Sequence, residues 1–304
     1  MKLDKISQNL LEKIAKIHEI PNGAVSFRRN GKGEIVRSTP SIEIARKEDG
    51  SGINIFVHSS CKNESCHIPV VVSEEDFFDL VYNDFYIEDG ASVTIVAGCG
   101  VHSNGSGGHD GIHTFHIGKN AVVNYIENHI AIGNGSHKVL NPTTNITIGE
   151  NSVMNMETNQ LGGVDYSNRI TKATLKENAT INITEKILTD KFNVAKTDFK
   201  VHLIGKNSKC NIVSRSVARD ESEQVFKSTI IGKNECFGHV ECDGIVLDRA
   251  QISSVPRVDA KSNLASLSHE AAIGKIASEQ IIKLMTLGLS EKEAENKIIE
   301  CFLK

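Results

Sequence analysis

The stretch from residue 238 to residue 270 carries the side chains of this sequence that are best suited to bind a metal. His239, Glu241 and Cys242 fall within four positions, and His269 and Glu270 follow where a helical pattern begins. Imidazole, carboxylate and thiolate groups all bind first-row transition metals, and the thiolate is the soft ligand among them. The sequence therefore predicts metal chemistry here, with the upstream chain as its scaffold.

A structural role for the same residues stays open. In a strand whose side chains alternate, Cys242 and His239 point to opposite faces, and Cys242 shares its face with Val240. A cysteine in such a position is often a small buried apolar residue. Glu270 could equally be an acid in the first turn of a helix, stabilised by the helix dipole. Spacing alone does not decide between the two roles.

A second candidate lies in the glycine-rich segment 98–118. It contains Cys99, His102, His109, His113 and His116, and such a concentration could bind a metal. No pair of these residues has the spacing of a zinc finger, and the glycines are typical of a loop. We expect a long exposed loop here, with a metal site as the less favoured alternative.

The composition limits the function classes. The 304 residues carry a net charge of -4, so the basic surface of a nucleic-acid-binding protein is not expected. No apolar run is long enough to span a membrane, and Asp4 and Glu12 do not fit a signal peptide. The seven cysteines are too few, and odd in number, for a disulfide scaffold. We expect a cytoplasmic protein with reduced thiols and with neither nucleic acid nor membrane as partner.

The elements that would position the candidate ligands begin with a helix and short strands. Apolar residues at three- and four-residue steps predict an amphipathic helix over residues 3–18. Alternating runs separated by Asn30-Gly31 and Asp49-Gly50 predict hairpins over residues 24–60. A short helix is expected at residues 74–82, with Ser73 as its N-cap.

Regular turns from about residue 85 are the main architectural signal. Tetrads such as EDGA, GKNA, GENS and KENA begin at positions 88, 118, 149, 176, 205 and 232, with spacings of 30, 31, 27, 29 and 27 residues. Runs rich in Val, Ile and Thr separate them, which favours the stacked coils of a β-solenoid. An antiparallel β-sandwich is the alternative, but it would have turns about every 8–12 residues.

The C-terminal sequence changes to a helical pattern. One helix is predicted to end at Gly288, and Ser290 with Glu293 forms the capping box of a second. We expect three segments: residues 1–84 with a helix and a small β region, residues 85–268 as the β-helix core, and residues 269–304 as a helical region. The helices would cap the solenoid or offer a docking face.

From about residue 85 to the C-terminus, the sequence resembles the SufB/SufD family of the Suf iron–sulfur cluster assembly system, especially its short archaeal and clostridial members. The matching motifs are HDGIHTFHIGKNA (109–121), SRSVA (214–218), GHVECDGIVLD (238–248) and SHEAAIGKIASEQIIKLMTLGLSEKEAENKII (268–299). The resemblance implies a mainly β fold, a right-handed parallel β-helix followed by a C-terminal helical region, in agreement with the turn spacing.

The resemblance also implies roles for single residues. Cys242 matches the SufB cysteine taken to hold the nascent cluster, and Glu270 matches the glutamate thought to be its partner ligand. His269 matches the histidine that SufD contributes across the SufB–SufD interface. Cys99 matches, more weakly, an upstream cysteine proposed to accept sulfur before its relay toward the assembly site.

The partners follow from the same resemblance. Residues 269–304 resemble the region that docks a Suf-type ABC ATPase; that partner would supply the nucleotide-binding P-loop, whose motif this sequence lacks. A desulfurase system would supply the sulfur. Because SufB-type and SufD-type ligands occur in one chain here, a homodimer could replace the SufB–SufD heterodimer. His239 and Cys236 are secondary ligand candidates.

The implied function is a scaffold for a transient iron–sulfur cluster, without enzymatic activity of its own. A flavin is compatible with the resemblance but has no support in the sequence. Two alternatives remain. A β-solenoid enzyme acting on carbohydrates would need an aromatic-lined groove, which a chain without Trp and with 5% aromatic residues disfavours. A SufD-like structural partner would hold no cluster itself.

Overall fold

The computed structural model of the protein describes residues 5–15, 21–135 and 137–304. In these ranges the chain is mainly β, with 61% of residues in strands and three short helices at the ends. The helices are α1 (Lys5–Ala15), α2 (Ser278–Met285) and α3 (Glu291–Phe302). The strands are β1 (Ala24–Arg29), β2 (Lys32–Arg37), β3 (Ile42–Arg46), β4 (Gly52–Val57), β5 (Lys62–Val72), β6 (Phe77–Ile87), β7 (Ser92–His102), β8 (Ser106–Ile117), β9 (Val122–Ile132), β10 (His137–Leu140), β11 (Thr143–Ile148), β12 (Val153–Leu161), β13 (Tyr166–Leu175), β14 (Thr180–Thr189), β15 (Val194–Leu203), β16 (Ser208–Ala218), β17 (Glu223–Gly232), β18 (Cys236–Val246), β19 (Gln251–Ala260) and β20 (Ala265–Gly274).

Two ten-stranded sheets form the body of the molecule. Sheet A has the order β2-β1-β5-β7-β9-β12-β14-β16-β18-β20, and sheet B has the order β19-β17-β15-β13-β10-β8-β6-β4-β3, with β11 between β8 and β13. Along both sheets, strands of successive coils pair in parallel, as β5 does with β7 and β16 with β18. Each circuit of the chain therefore adds a strand to each sheet, which is a β-solenoid of about eight turns. The solenoid prediction is confirmed, and the antiparallel sandwich is wrong.

The space between the two sheets holds the core. Side chains alternate between this interior and the outside, as the strict alternation of buried and half-buried residues along β14 shows. Phe85 and Phe115, which lie on neighbouring coils, stack with their ring centroids 4.2 Å apart. Burial of one such side chain stabilises the fold by about 1.5–3 kcal/mol. Each coil thus gains its stability from contact with the next.

The recurring turns share one backbone conformation. Asn120, Asn151, Asn178 and Asn207 have φ between 54° and 59°, the left-handed region that Asn tolerates better than most residues. The side-chain amide of Asn178 donates to Oδ1 of Asn151 at 2.9 Å, and that of Asn207 donates to Asn178 at 3.1 Å. The repeated tetrads are therefore stacked copies of one turn.

The N-terminal hairpins agree with their prediction. β1 and β2 pair antiparallel around Asn30 and Gly31, and β3 and β4 pair antiparallel around Asp49 and Gly50. Both glycines have positive φ, 74° and 72°, a conformation that glycine adopts without strain. These hairpins extend the two sheets at the N-terminal end of the solenoid.

Helix α1 confirms the predicted N-terminal amphipathic helix over residues 5–15, while residues 3–4 and 16–18 of that prediction lie outside the described residues. The helix packs on the outer face of sheet A. A Cβ on Gly98 would lie 2.8 Å from Cβ of Ile14, and a Cβ on Gly100 would lie 3.0 Å from Leu10. Two glycines of the segment 98–118 therefore leave the space into which α1 packs.

The helix predicted at residues 74–82 is wrong, because β6 occupies most of this range. The polar residues that suggested an N-cap form a turn instead. The backbone amides of Ser73 and Glu74 donate to Oδ1 of Asn30, and Asp76 has a φ of 56°. Alternating burial along β6, with Asp79 inside, shows the period of a strand.

The C-terminal helices confirm their predicted signals. Gly288 has a φ of 97° after the end of α2, and Ser290 and Glu293 form the capping box of α3. The helices pack on the side of the solenoid, where Ile276 and Ile299 join Val217 in one apolar cluster. No helix in the described ranges is long and apolar enough to cross a membrane.

Candidate functional site

Strands β18 and β20 carry the predicted metal ligands at the C-terminal end of the solenoid. They pair in parallel, with Val240 opposite His269 and Glu241 opposite Glu270. Directly opposed residues of neighbouring strands point to the same face of the sheet. Val240 and Cys242 are buried in the interior, so His269 faces the interior as well. Glu270 points to the outside, beside Glu241.

The structure thus brings two of the three predicted ligands together. Cys242 and His269 are diagonal neighbours on the inner face of adjacent strands, whereas Glu270 lies on the outer face. Residues 269–274 are strand, so the expectation that Glu270 begins a helix is wrong. The reason is that β20 continues the pairing of β18 to Gly274, and the helical pattern starts only at Ser278.

Nε2 of His269 is buried and has no hydrogen-bond partner among the described residues. Such a nitrogen carries a desolvation penalty of about 1–3 kcal/mol when nothing binds it. Unsatisfied buried polar atoms are uncommon in native proteins and call for a specific explanation. A ligand at this nitrogen, next to Cys242, would provide one.

The surroundings of the pair set the protonation state of both groups. Burial raises the pKa of Cys242 to about 11, although the nearby Ser254 hydroxyl lowers it. Burial lowers the pKa of His269, and the neighbouring His239 adds to this effect. At neutral pH the thiol is therefore protonated and the imidazole is neutral. A soft metal would bind the imidazole directly and displace the thiol proton.

The end of the solenoid next to this pair is uncovered. β19 and β20 are the last strands of their sheets in the described chain, so each presents unpaired backbone groups along one edge. Val258 and Ile273 point to the inner side, yet they are 45% and 38% exposed. An edge of this kind pairs readily with another chain.

The secondary candidates are not part of the inner pair. His239 points outward, and its Nδ1 lies 2.9 Å from Oγ of Ser268. Cys236 is buried on the inner face of β18, but six residues of extended strand separate it from Cys242, a distance of about 20 Å. Burial raises the pKa of the Cys236 thiol.

Taken over residues 5–15, 21–135 and 137–304, the chain contains no group of three or more His, Cys, Asp or Glu side chains arranged to hold a metal ion. Cys242 and His269 alone would supply at most two ligands, so a metal site here would need further ones. The pair lies at the open end of the solenoid.

The segment 98–118 is not the exposed loop that its glycines predicted. Its residues form the end of β7 and the whole of β8, and Cys99, His109 and His113 face the interior, 2–6% exposed. His102 is half-buried at the end of β7, and His116 is exposed on the outer face of β8. The prediction failed because the glycines serve close packing inside paired strands.

A network of charged and polar side chains fills the interior near Cys99. Tyr125 Oη donates to Oε1 of Glu127 at 2.9 Å and lies 3.1 Å from Nδ1 of His113. Arg169 donates to the other Glu127 oxygen and to Nδ1 of His129, the latter at 3.2 Å. The interior of these coils is thus held together by hydrogen bonds as well as by apolar contact.

Burial dominates the pKa values in this network. It lowers the pKa of His113 to about 4 and that of His129 to about 3, and it raises the pKa of Cys99 far above that of a free thiol. Burial alone would raise the pKa of Glu127, but the positive charge of Arg169 outweighs it and holds that pKa well below its usual range. The carboxylate is ionised and both imidazoles are neutral.

A column of buried polar residues runs from the network near Cys99 to Cys242. The register of sheet A stacks Glu127, Thr158, Glu185, Ser214 and Cys242 directly on one another through β9, β12, β14, β16 and β18. Each of these residues is at most 2% exposed. Ser214 donates to Glu185 at 3.0 Å. A polar path therefore runs inside the solenoid toward Cys242.

Sequence reasoning missed the buried charges of this interior, namely Asp79, Glu127, Arg169 and Glu185. A signal was present in the run VVNYIENHIAI: Tyr125, Glu127 and His129 have the same parity as Val123, which places them on one face of a strand. Apolar residues such as Ile126 and Ile130 lie on the opposite face, so the sequence does not show which face of the strand is buried.

The C-terminal helices leave an apolar groove. A cavity of about 650 Å³ lies between the solenoid side and the helices, lined among others by Leu247, Ile281, Ile282 and Met285. Ile282 and Met285 are 58% and 43% exposed, and Leu287 is 75% exposed. Exposed apolar residues gathered on a helix and the turn that follows it are typical of a surface for another protein.

Comparisons with known proteins point in one direction. Residues 76–302 match the family model described as "SUF system FeS cluster assembly, SufBD core domain". A protein of Methanocaldococcus jannaschii named as an iron–sulfur cluster assembly SufBD family protein is 28% identical over 99% of this chain and 98% of its own length. A protein of the same name from Archaeoglobus fulgidus is 29% identical over 86% of this chain and 71% of its own length.

Proposed function

Because the chain belongs to the SufBD core family of iron–sulfur cluster assembly proteins, we propose that it is a scaffold subunit on which a nascent cluster is built. The cluster is the cargo of the protein, held transiently and then released to an acceptor. The scaffold performs no catalysis of its own, and ATP hydrolysis takes place in a separate partner.

The observation that carries the proposal is the pairing of Cys242 with the unpartnered Nε2 of His269 at the uncovered end of the solenoid. Thiolate is the ligand that iron–sulfur clusters require, and histidine replaces it in some centres. Mixed ligation by one thiolate and weaker nitrogen or oxygen ligands suits a site that must later release its cluster.

A second subunit completes the site in this proposal. Two copies that meet at their β19–β20 ends would bring two Cys242–His269 pairs together across a twofold axis; a related SufB- or SufD-like chain could take the place of the second copy. Glu270 faces away from Cys242 of its own chain, so its carboxylate would join the cluster only across such an interface. The exposed inner residues Val258 and Ile273 would become buried there.

Cys99 enters the proposal as an early acceptor of sulfur from a desulfurase system. β7 and β18 are five strand spacings apart in sheet A, which is about 24 Å. Sulfur bound at Cys99 therefore needs a path to reach Cys242, and the column of buried polar residues from Glu127 to Ser214 supports one. The protonated, buried state of Cys99 means that this step needs an opening of the interior.

The groove beside α2 is the proposed docking surface for a Suf-type ABC ATPase within residues 269–304. The exposed side chains of Ile282, Met285 and Leu287 support this role, because a partner would remove their apolar surface from water. All seven cysteines are free thiols, which fits assembly in the reducing cytoplasm.

Anaerobic reconstitution with iron and sulfide tests the cluster site. The wild-type chain should develop the visible charge-transfer spectrum of an iron–sulfur cluster, and Cys242→Ser should lose most of it. Cys236→Ser is the matched control, since it removes a buried inward thiol of the same strand about 20 Å away. An unchanged spectrum in Cys242→Ser would contradict the ligand role.

Light scattering and copurification test the partners. Val258→Lys should turn a dimer into a monomer, because it places a charge in the proposed interface, whereas the exposed outward Val255→Lys should have a smaller effect. Leu287→Asp should abolish copurification with an ABC-type ATPase. A wild-type chain that is monomeric at micromolar concentration, with or without cluster, would refute the homodimer.

A further inference from the structure

Inside the solenoid, two imidazole nitrogens converge on one point above Gly111. A Cβ built on Gly111 would lie 2.9 Å from Nε2 of His113 and 3.3 Å from Nε2 of His109. The glycine leaves this space open, and a cavity of about 20 Å³ occupies it, lined by both histidines and by Cys99. A cavity of this size holds one water-sized occupant.

The groups beside the opposite ring nitrogen decide which lone pair of each imidazole faces the cavity. The Tyr125 hydroxyl donates its proton to the ionised Glu127, so it accepts the proton of Nδ1 of His113 at 3.1 Å. Nδ1 of His109 lies 3.4 Å from the Asp79 carboxylate without a regular hydrogen bond to it, and the negative charge of that carboxylate favours the proton on the nearer ring nitrogen. Both Nε2 atoms therefore direct a lone pair at the space above Gly111.

We propose that this space is a binding site for one divalent first-row transition-metal ion, held by Nε2 of His109, Nε2 of His113 and the thiolate of Cys99. A ligating histidine usually donates its other ring N–H to a nearby acceptor, as Nδ1 of His113 does to Tyr125. Imidazole with thiolate suits ions of borderline softness such as Fe²⁺, Co²⁺ and Zn²⁺. Metal–nitrogen bonds are about 2.0–2.1 Å long, so each ring moves about 1 Å toward the ion. In the parts of the chain that the structure describes, only the imidazole pair is preset, and the ion draws in Cys99.

The buried charges favour a dication. Three interior carboxylates, Asp79, Glu127 and Glu185, face two guanidinium groups, Arg28 and Arg169. With a Cys99 thiolate this group of side chains has four negative and two positive charges, and a divalent ion makes the group neutral. Buried charges are tolerated in a low-dielectric interior when each is balanced by a nearby opposite charge.

The small cavity borders a larger, open cavity at the N-terminal end of the solenoid. The small cavity shares Ile68, Val70 and Asn83 as walls with an open cavity of about 340 Å³ between the two hairpins. Lys32 and Arg46 line that outer cavity, and their positive charge will slow the entry of a cation. Loading is therefore best measured at equilibrium, or by refolding the chain with the metal present.

Titration with Co²⁺ under anaerobic conditions tests the proposal. The full chain is used in a Cys242→Ala background, so that the end of the solenoid contributes no cysteine-bound cobalt. We expect one equivalent of Co²⁺ with visible d–d bands and a near-ultraviolet thiolate charge-transfer band. Gly111→Ala should abolish both, because its Cβ occupies the ion position, and His116→Ala, on the outer face of the same strand, should change neither.

A milder variant covers the case in which Gly111→Ala does not fold. Tyr125→Phe removes only the hydroxyl that orients His113, and it should weaken Co²⁺ binding about 10–100-fold while circular dichroism stays unchanged. Absence of the bands in folded wild-type protein, even after refolding with Co²⁺, would mean that the cavity holds water only. Equal bands in Gly111→Ala and Tyr125→Phe would mean adventitious binding only. Either result overturns the proposal and leaves the cluster site at Cys242 untouched.

Discussion

Mild acid should destabilise this protein through two buried histidines. His113 and His129 have pKa values of about 4 and about 3 in the folded chain because of their burial, against about 6.5 in an unfolded chain. Between these values the unfolded state binds a proton at each site and the folded state does not. Stability therefore falls as the pH falls below 6.5, and the effect of each histidine is complete once the pH passes its folded value.

The magnitude follows from these values. Between pH 7.5 and pH 5.5, each histidine lowers the free energy of unfolding by about 1.4 kcal/mol, so the pair accounts for about 3 kcal/mol. The carboxylates with lowered pKa values, Asp79 and Glu127, act mainly below this window, since their unfolded values are near 4. A loss of about 3 kcal/mol is a large part of the stability of an ordinary domain.

Urea denaturation followed by circular dichroism at both pH values measures the effect. His113→Asn and His129→Asn keep a polar group near the Nδ1 position and remove the titration, so each should reduce the pH-dependent loss by about 1.4 kcal/mol. His116→Asn, in which the replaced side chain is exposed to solvent, serves as the control and should leave the loss unchanged. A loss that is the same in wild type and in both buried variants would refute the assignment of these histidines as the source.

Three further predictions concern the packing that supports the site. Gly98→Ala should lower the free energy of unfolding by about 1–3 kcal/mol, because its Cβ would collide with α1. Gly274→Ala is the control, since its Cβ meets nothing within 4 Å. A comparable loss in both variants would contradict the collision as the cause. Arg169→Met should cost about 3–5 kcal/mol in chemical denaturation by leaving the Glu127 carboxylate buried without its partner, and the double variant with Glu127→Gln should recover part of that loss. Asn178→Ala should lower the free energy of unfolding by about 1–2 kcal/mol in the same assay, because alanine is strained in the left-handed conformation of this turn. Asn178→Gly should lower it less, since glycine adopts that conformation without strain.

The solenoid could be predicted from sequence because its turns repeat a local requirement. At the turns that the tetrads mark, a left-handed residue recurs at near-constant spacing and is supplied by Asn or Gly, as at Gly90, Asn120 and Asn151. Helix α3 was predictable for the same kind of reason, since its capping box involves residues only three positions apart. Local chemistry of this sort is visible without knowledge of the fold.

The errors at residues 74–82 and 98–118 have a common physical cause. In the sequence, polar and glycine residues indicate caps and loops. A solenoid interior, however, can bury polar side chains that interact with one another across coils. His109 and Asp79 illustrate this: they lie on adjacent strands in direct register, thirty residues apart in the sequence. Their burial depends on pairing between coils, which single-strand periodicity does not contain.

The length of the last coil decides which face of β20 carries Glu270. Ser214 pairs with Cys242 across 28 residues, whereas Val240 pairs with His269 across 29. A coil of 28 residues would have placed Glu270 directly beside Cys242 on the inner face. The extra residue in the last coil reverses the parity, because side chains alternate with a period of two. It turns Glu270 outward and His269 inward. In the proposed site, the imidazole is therefore the group that one chain places beside its own Cys242, and the carboxylate would need an interface with a second subunit.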